Sequence, residues 1–212
     1  MKKKALIVFV KNIRLGKVKT RLAKTVGDEA AFEVYKHLVG ITEKESQSVP
    51  NVDRLIYFSD VIIDTKWAGD TKYVQEGADL GERMKRAFQM AFDKGYDQVV
   101  GIGSDLPDLN KAVIELAFEK LNEKETVFGP AEDGGYYLLG MNELIPTIFE
   151  NKSWSTSGLL EETLTDLNEQ NRSVVLLKTL NDIDTIEDLK ASSISNKFKE
   201  LYELSRSDKS TV

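Results

Sequence analysis

Short apolar runs alternate with amphipathic stretches along this chain, and the alternation predicts repeated β-α units. Ala5-Leu6-Ile7-Val8-Phe9-Val10 is an unbroken apolar run of strand length, the pattern of a strand covered on both faces in a parallel sheet. Asp28 then reads as the cap of an amphipathic helix in which Ala31, Phe32, Val34, Tyr35, Leu38, Val39 and Ile41 recur at helical spacing. Leu55-Ile56-Tyr57-Phe58-Ser59 returns as a strand and completes one unit. A weakly patterned stretch from Asp60 to Lys72 leads into Tyr73-Val74-Gln75. Leu80, Met84, Ala87, Phe88, Ala91 and Phe92 then mark a helix that Gly95 ends.

Gln98-Val99-Val100-Gly101-Ile102 is the next buried strand, Val113 to Leu121 the next helix, and Thr126-Val127-Phe128 the next strand. Asp133-Gly134-Gly135 between Val127-Phe128 and Tyr136-Tyr137-Leu138-Leu139 suits a turn with positive φ and a strand running back, so the sheet should be mixed. A helix around Leu159 to Leu167, a strand Val174 to Leu177, an acidic loop Asp182-Ile183-Asp184 and a helix from Ile186 complete the pattern. The predicted class is α/β, a mostly parallel mixed sheet with helices on both faces. Residues 1–205 read as one domain, with a frayed polar tail at 206–212.

Composition narrows the chemistry. The 212 residues suffice for one domain with a full core, and the formal charge of −6 argues against a broad nucleic-acid surface. No cysteine is present, which excludes disulfides, thiolate metal sites and cysteine nucleophiles. Met1-Lys2-Lys3-Lys4 before the first apolar run imitates a secretory signal, but Lys11, Arg14 and Lys17 interrupt it; a first strand and a cytoplasmic protein without membrane insertion are expected.

Against this acidic background the loop Gly16-Lys17-Val18-Lys19-Thr20-Arg21-Leu22 stands out. It follows the first strand, where open α/β sheets bind ligands, and its three alternating cations suit a nucleotide di- or triphosphate. The alternative is a solvated helix start, although basic residues there oppose the macrodipole and call for an anionic partner. Asp105, at the end of another strand, would share the same crevice and could hold Mg²⁺ or Mn²⁺ against the phosphates. Asp105 and Asp108 also suit turn formation and a helix cap near Pro107.

Asp184, like Thr185, suits first of all a helix cap before Ile186, and is secondarily a second metal-ligand candidate. Gly129 to Tyr137 offers bare backbone beside carboxylates and aromatics, useful for close substrate approach or for a hairpin turn alone. His37, inside an amphipathic helix, reads as structural or exposed. Gly101-Ile102-Gly103 lacks the third glycine of a dinucleotide fingerprint, and no Walker loop occurs.

Taken together, Gly16 to Leu22, Asp79-Leu80-Gly81-Glu82-Arg83-Met84, Gly103-Ser104-Asp105, Gly129 to Tyr137, Trp154-Ser155-Thr156 and Asp182 to Leu189 resemble one family over roughly residues 5 to 190. The chain is similar to the radical-SAM/selenodomain-associated transferases, or arsenosugar-biosynthesis-type glycosyltransferases, of the nucleotide-diphospho-sugar transferase superfamily. Phospholactate and molybdenum-cofactor guanylyltransferases are similar in the Gly-x-Lys-x-Thr-Arg-Leu loop. Two departures keep every charged ligand: Asp105-Leu106-Pro107 stands where Asp-Cys-Pro is usual, and Ile13 where a proline usually follows Asn12.

The resemblance implies a three-layer α/β/α sandwich of the type A glycosyltransferase kind. It also implies a metal-dependent transferase that uses a nucleotide-diphospho-sugar donor and a small-molecule acceptor. Nucleotidyl transfer from an NTP is the runner-up, and a non-catalytic nucleotide-binding module the reading of another class. Lys11, Gly16, Lys17, Lys19, Thr20 and Arg21 would bind the nucleotide, and Asp105, helped by Asp184, would place Mg²⁺ or Mn²⁺. Gly134, Gly135, Tyr136 and Trp154 would face the sugar or acceptor. Lys19, Asp105 and Asp133 would be catalytic, with Asp133 or Glu132 as base where one is needed. A homo-oligomer is compatible with this reading.

Overall fold

A computed structural model describes residues 2–201 of the chain. The tail predicted at 206–212 lies outside the described residues. In chain order the elements are β1 (Lys4–Val10), α1 (Thr20–Val26), α2 (Asp28–Gln47), β2 (Asp53–Phe58), β3 (Thr71–Val74), α3 (Leu80–Asp93) and β4 (Gln98–Ile102). There follow α4 (Lys111–Lys120), β5 (Thr126–Pro130), β6 (Tyr136–Met141), α5 (Leu159–Glu169), β7 (Val174–Leu176) and α6 (Ile186–Ala191), with short 3-10 turns at Pro146–Ile148 and Ser195–Phe198.

The strands form one seven-stranded sheet in the order β3-β2-β1-β4-β6-β5-β7. All neighbours are parallel except β6, which runs antiparallel to both β4 and β5. The mixed sheet expected from Asp133-Gly134-Gly135 is therefore present, and the turn uses Gly134 at φ 88°.

β1 shows why its sequence carries no polar alternation. Leu6, Val8 and Val10 pack into a core with Leu22 of α1, Val34 and Leu38 of α2, Ile114 and Phe118 of α4, and Leu189 of α6. Ala5 and Ile7 point the other way, into a second core with Met84 and Phe88 of α3, Leu139 and Met141 of β6, and Leu167 of α5. A sheet with an apolar core on each face is the three-layer α/β/α sandwich.

Two caps differ from expectation. Asp28 is the first helical residue of α2 and makes no capping bond; Gly27, at φ 83°, holds the cap position. The Asp28 and Glu29 carboxylates instead complement the dipole of the first turn. α4 is capped by Asn110, whose Oδ1 accepts from the Val113 N–H at 3.2 Å, rather than by Asp108. The chain needs the extra residues after Pro107 to turn, and the cap falls where the turn ends.

Candidate active site

The carboxyl ends of β1, β2 and β4 open on one edge of the sheet, and β6, being reversed, brings its first residue to the same edge. The loops there are fastened by buried polar groups. Asn12, only 5% exposed, accepts from the Asp60 N–H at 2.8 Å and the Val61 N–H at 3.2 Å, while its amide donates to the Val61 carbonyl at 2.8 Å. The Tyr35 hydroxyl donates to the Lys11 carbonyl at 3.1 Å and lies 3.0 Å from Ser104 Oγ. Burial, above all, pushes that phenol up to about 12, so it stays protonated. Lys11, Ser59 and Ser104 are thus held around one crevice.

Lys19 occupies a strained position immediately before α1, with φ 46° and ψ 47°. A left-handed conformation is costly for a residue with a Cβ and persists where the surroundings impose it. Here it turns the side chain inward: Nζ lies 3.1 Å from Asp105 Oδ2 and 3.2 Å from Asp184 Oδ1, with the side chain 5% exposed. Burial works against the charged ammonium, but Asp105, Asp184 and Asp182 together outweigh it and hold the pKa above the ordinary lysine value. Lys19 is therefore a fixed cation. Arg21 reaches Asp184 Oδ2 at 3.3 Å from a largely exposed position.

The loop carrying Asp184 is set by α6. Thr185 Oγ1 accepts from the Asp188 N–H, while the Asp188 carboxylate accepts from the backbone N–H groups of Thr185 and Asp184 at 2.6 and 3.0 Å. This capping box fixes the backbone from which Asp184 projects. Thr185 takes the cap, leaving Asp184 free for Lys19 and Arg21.

Two chambers meet at Asp105. The first, about 540 Å³, is lined by Lys11, Lys19, Thr20, Arg21, Tyr35, Gln75, Arg83 and Asp184 among others. The second, about 350 Å³, is lined by Asp133, Gly135, Tyr136, Trp154 and Asp182 together with Met84, Ile102, Leu138 and Leu139. Phe9, Leu80, Gly103 and Asp105 line both. The predicted site residues are thus sorted into a basic side and a carboxylate–aromatic side.

Several predicted residues stand elsewhere. Lys17 is exposed and Gly16 turns the loop at φ 71° beside the Asp28 carboxylate; neither lines the chambers. Gly134 packs against the Ser157 backbone, where a Cβ would fall 1.9 Å from the carbonyl oxygen. Glu132 lines a separate hollow with Asp108 and Asp188, which leaves Asp133 as the crevice carboxylate of that pair. His37 is half-buried, its ring edge-on to Phe198 at 5.6 Å.

The motif around Asp79 acquires separate jobs. Asp79 caps α3 by accepting from the Glu82 N–H at 2.8 Å, Arg83 lines the first chamber while donating to the Gly77 carbonyl at 3.1 Å, and Gly81 admits the Trp154 indole. Asp182 was not singled out in the sequence, yet it lines the second chamber. Burial, then the neighbouring Asp105, raises its carboxyl to about 6. The alternation Asp182-Ile183-Asp184 carried the signal: with Ile183 fully buried, its two neighbours face the crevice.

Comparison with known proteins agrees with this architecture. A model of the family described as an uncharacterized protein conserved in bacteria, DUF2064, matches residues 48–156. The chain belongs to the DUF2064 family. A crystal structure from Desulfovibrio desulfuricans G20, provisionally described as a nucleotide-diphospho-sugar transferase, is 31% identical over 98% of both chains, with a TM-score of 0.87.

More distant solved structures share the fold of this DUF2064 member. The 4-diphosphocytidyl-2C-methyl-D-erythritol synthase of Anaerococcus prevotii DSM 20548 is 11% identical over 92% of this chain and 99% of its own, at TM-score 0.60. A manganese complex of Rv0371C from Mycobacterium tuberculosis is 12% identical over 89% and 97%, at TM-score 0.53. A search of the curated proteins found no match. The fold is that of nucleotide-diphospho-sugar transferases, and no described helix is long and apolar enough to cross a membrane.

Proposed function

We propose that this protein is a cytoplasmic, metal-dependent transferase that moves a glycosyl group from a nucleotide-diphospho-sugar to a small-molecule acceptor, within the arsenosugar-biosynthesis-type branch of its superfamily. The observation that carries the reading is the Lys19–Asp105–Asp184 cluster at the junction of a basic chamber and an apolar one. The donor's nucleotide would occupy the first chamber, and the group to be transferred would pass Asp105 into the second.

Mg²⁺ or Mn²⁺ fits the residues present. Asp105 and Asp184 offer hard oxygen donors whose side chains are 38% and 42% exposed, and the position between them already accepts a cation, the Lys19 ammonium. Among the described residues no group of three or more His, Cys, Asp or Glu could hold a metal by itself, so the ion would rest on two carboxylates and the donor's own phosphates. When bound, the ion would supply charge neutralisation across the phosphates.

The chain's own residues supply the rest. Lys19 and Arg21 would stabilise the negative charge that grows on the leaving diphosphate, in a crevice whose neighbouring loops Asn12 and Tyr35 fasten. Asp133, whose Oδ1 accepts from the Gly135 N–H at 2.9 Å, would orient or deprotonate the acceptor hydroxyl. Nucleotidyl transfer from an NTP would use the same first chamber.

Calorimetric titration with UDP, GDP, their sugars and the four NTPs, with and without Mn²⁺ or Mg²⁺, tests the reading. Metal-dependent preference for a nucleoside diphosphate or its sugar is the expected result. Preference for an NTP would move the assignment to nucleotidyl transfer, metal-independent binding would favour a sensor, and no binding at all would remove the nucleotide from the first chamber.

A further inference from the structure

The second chamber has a composition that restricts what it can take. Its body is apolar, built from Met84, Ile102, Leu138, Leu139 and Leu159 with the Trp154 indole. Asp105, Asp133 and Asp182 bring carboxylates to its wall, and among the described residues lining it there is no lysine, arginine or histidine. Lys19 lies on the other side of Asp105 and is already shared between Asp105 and Asp184. An anion entering this chamber would leave water for an apolar wall and, among the chain's own side chains, meet only negative charge.

A second observation is independent of the carboxylates. Tyr136 lines the chamber, its ring edge-on to Phe128 at 5.2 Å and to Trp154 at 6.4 Å, and its buried hydroxyl has no hydrogen-bond partner. Burial raises the phenol's pKa, so the hydroxyl remains a neutral donor and acceptor. A buried hydroxyl left unpaired is unfavourable; it is shut off from solvent as it stands, so a polar group in the chamber would recover the bond with a small turn of the Tyr136 ring.

Resting on the transferase reading above, we infer that the acceptor is a largely apolar, ring-sized alcohol or amine, neutral or cationic, with a polar group for the Tyr136 hydroxyl, and that phosphorylated and carboxylate acceptors are rejected. Its apolar body lies against Trp154 and Met84. The carboxylates at the wall receive its hydroxyl or ammonium. This chemistry disfavours transfer of a nucleotidyl group to a phosphorylated small molecule, because the chamber's own residues offer such an acceptor no counter-charge and an ion at Asp105 would already be engaged by the donor's phosphates.

Titrations followed by protein NMR, in the absence of nucleotide, compare benzyl alcohol, benzylamine, toluene and phenyl phosphate. Benzyl alcohol and benzylamine should bind at least tenfold more tightly than phenyl phosphate. Tyr136→Phe should abolish the advantage of benzyl alcohol over toluene while leaving toluene binding unchanged, and Asp133→Asn should narrow the gap between benzyl alcohol and phenyl phosphate. Equal or tighter binding of phenyl phosphate, an unchanged ratio in Tyr136→Phe, or failure of all four probes in a protein that binds a nucleoside diphosphate would overturn the acceptor class alone. Probe binding by a protein that binds no nucleotide would uphold the chamber's chemistry and overturn the donor reading instead.

Discussion

Lys19 Nζ sits 3.1 Å from Asp105 Oδ2, joining the loop after β1 to the loop after β4 across 86 residues of sequence. The contact satisfies a buried ammonium with a carboxylate that still sees solvent, so each partner is free to exchange the other for a ligand. A phosphate would compete for Lys19, and a cation for Asp105. Under the proposed function the same pair would mark the boundary between donor and acceptor chambers and would supply the charges that a diphosphate requires.

Replacing Lys19 with Ala tests that exchange. A charge-assisted hydrogen bond to phosphate contributes roughly 1.5–3 kcal/mol, so nucleoside-diphosphate affinity should fall by about ten- to a hundredfold. Calorimetry of Mn²⁺ alone should show binding at least as tight as in the wild type, since the ammonium no longer competes for Asp105 and Asp184. Melting should shift by only a few degrees because both freed carboxylates are open to water. Undiminished diphosphate affinity would remove Lys19 from the donor site.

Asp182 gives a pH dependence with a definite sign. Its folded pKa of about 6 lies above the usual carboxyl value of 3.8. The folded state therefore holds the proton more tightly than the unfolded one, and stability is lost as pH rises from about 4 to about 6. Asp182→Asn removes this loss: its melting temperature should exceed that of wild type at pH 8, with the difference shrinking as pH falls to 4. A difference independent of pH would mean that Asp182 keeps an ordinary pKa in the folded protein.

Thr185 links local stability to the site. Its capping box satisfies α6 and sets Asp184 opposite Lys19. Thr185→Ala should cost about 1 kcal/mol of stability, the usual loss for an N-cap, measurable by denaturant titration. Because the freed loop carries Asp184, Mn²⁺ affinity should also weaken. Thr185→Ser keeps the hydroxyl and should restore both.

The sheet was legible where burial on both faces left continuous apolar runs, as in β1 and β4. β3 was harder: four residues on an edge, preceded by a loop whose order comes from tertiary contacts. Trp67 is fully buried in that loop, its indole N–H donating to Ser46 Oγ at 2.9 Å and its backbone N–H to Glu43 at 2.6 Å. No local pattern announces bonds to a helix twenty residues away. That the basic loop and Asp105 meet was legible because topology alone brings strand ends together. Asp182 was not, because its place depends on the bridge between Ala131 and Leu180, which lays the acidic loop beside the β5–β6 turn.

Two helical glycines should respond to alanine with opposite signs. Gly40, in α2, has no atom within 4 Å of where a Cβ would stand, so Gly40→Ala should stabilise the protein by about 0.5–1 kcal/mol through helix propensity and reduced unfolded-state freedom. Gly81, in α3, has ordinary helical backbone, and the same gain is on offer. There, however, a Cβ would lie 2.4 Å from Trp154 Nε1 and 2.6 Å from the Phe149 carbonyl oxygen. The indole can rotate away, but the carbonyl belongs to backbone and cannot. Overpacking of this kind costs about 1–3 kcal/mol, which exceeds the propensity gain. Gly81→Ala should therefore melt lower than wild type and, by displacing Trp154, weaken benzyl alcohol binding in the second chamber. A Gly81→Ala protein as stable as Gly40→Ala would mean that Trp154 and the turn at Pro146–Ile148 yield freely, and that the chamber wall is not held by this contact.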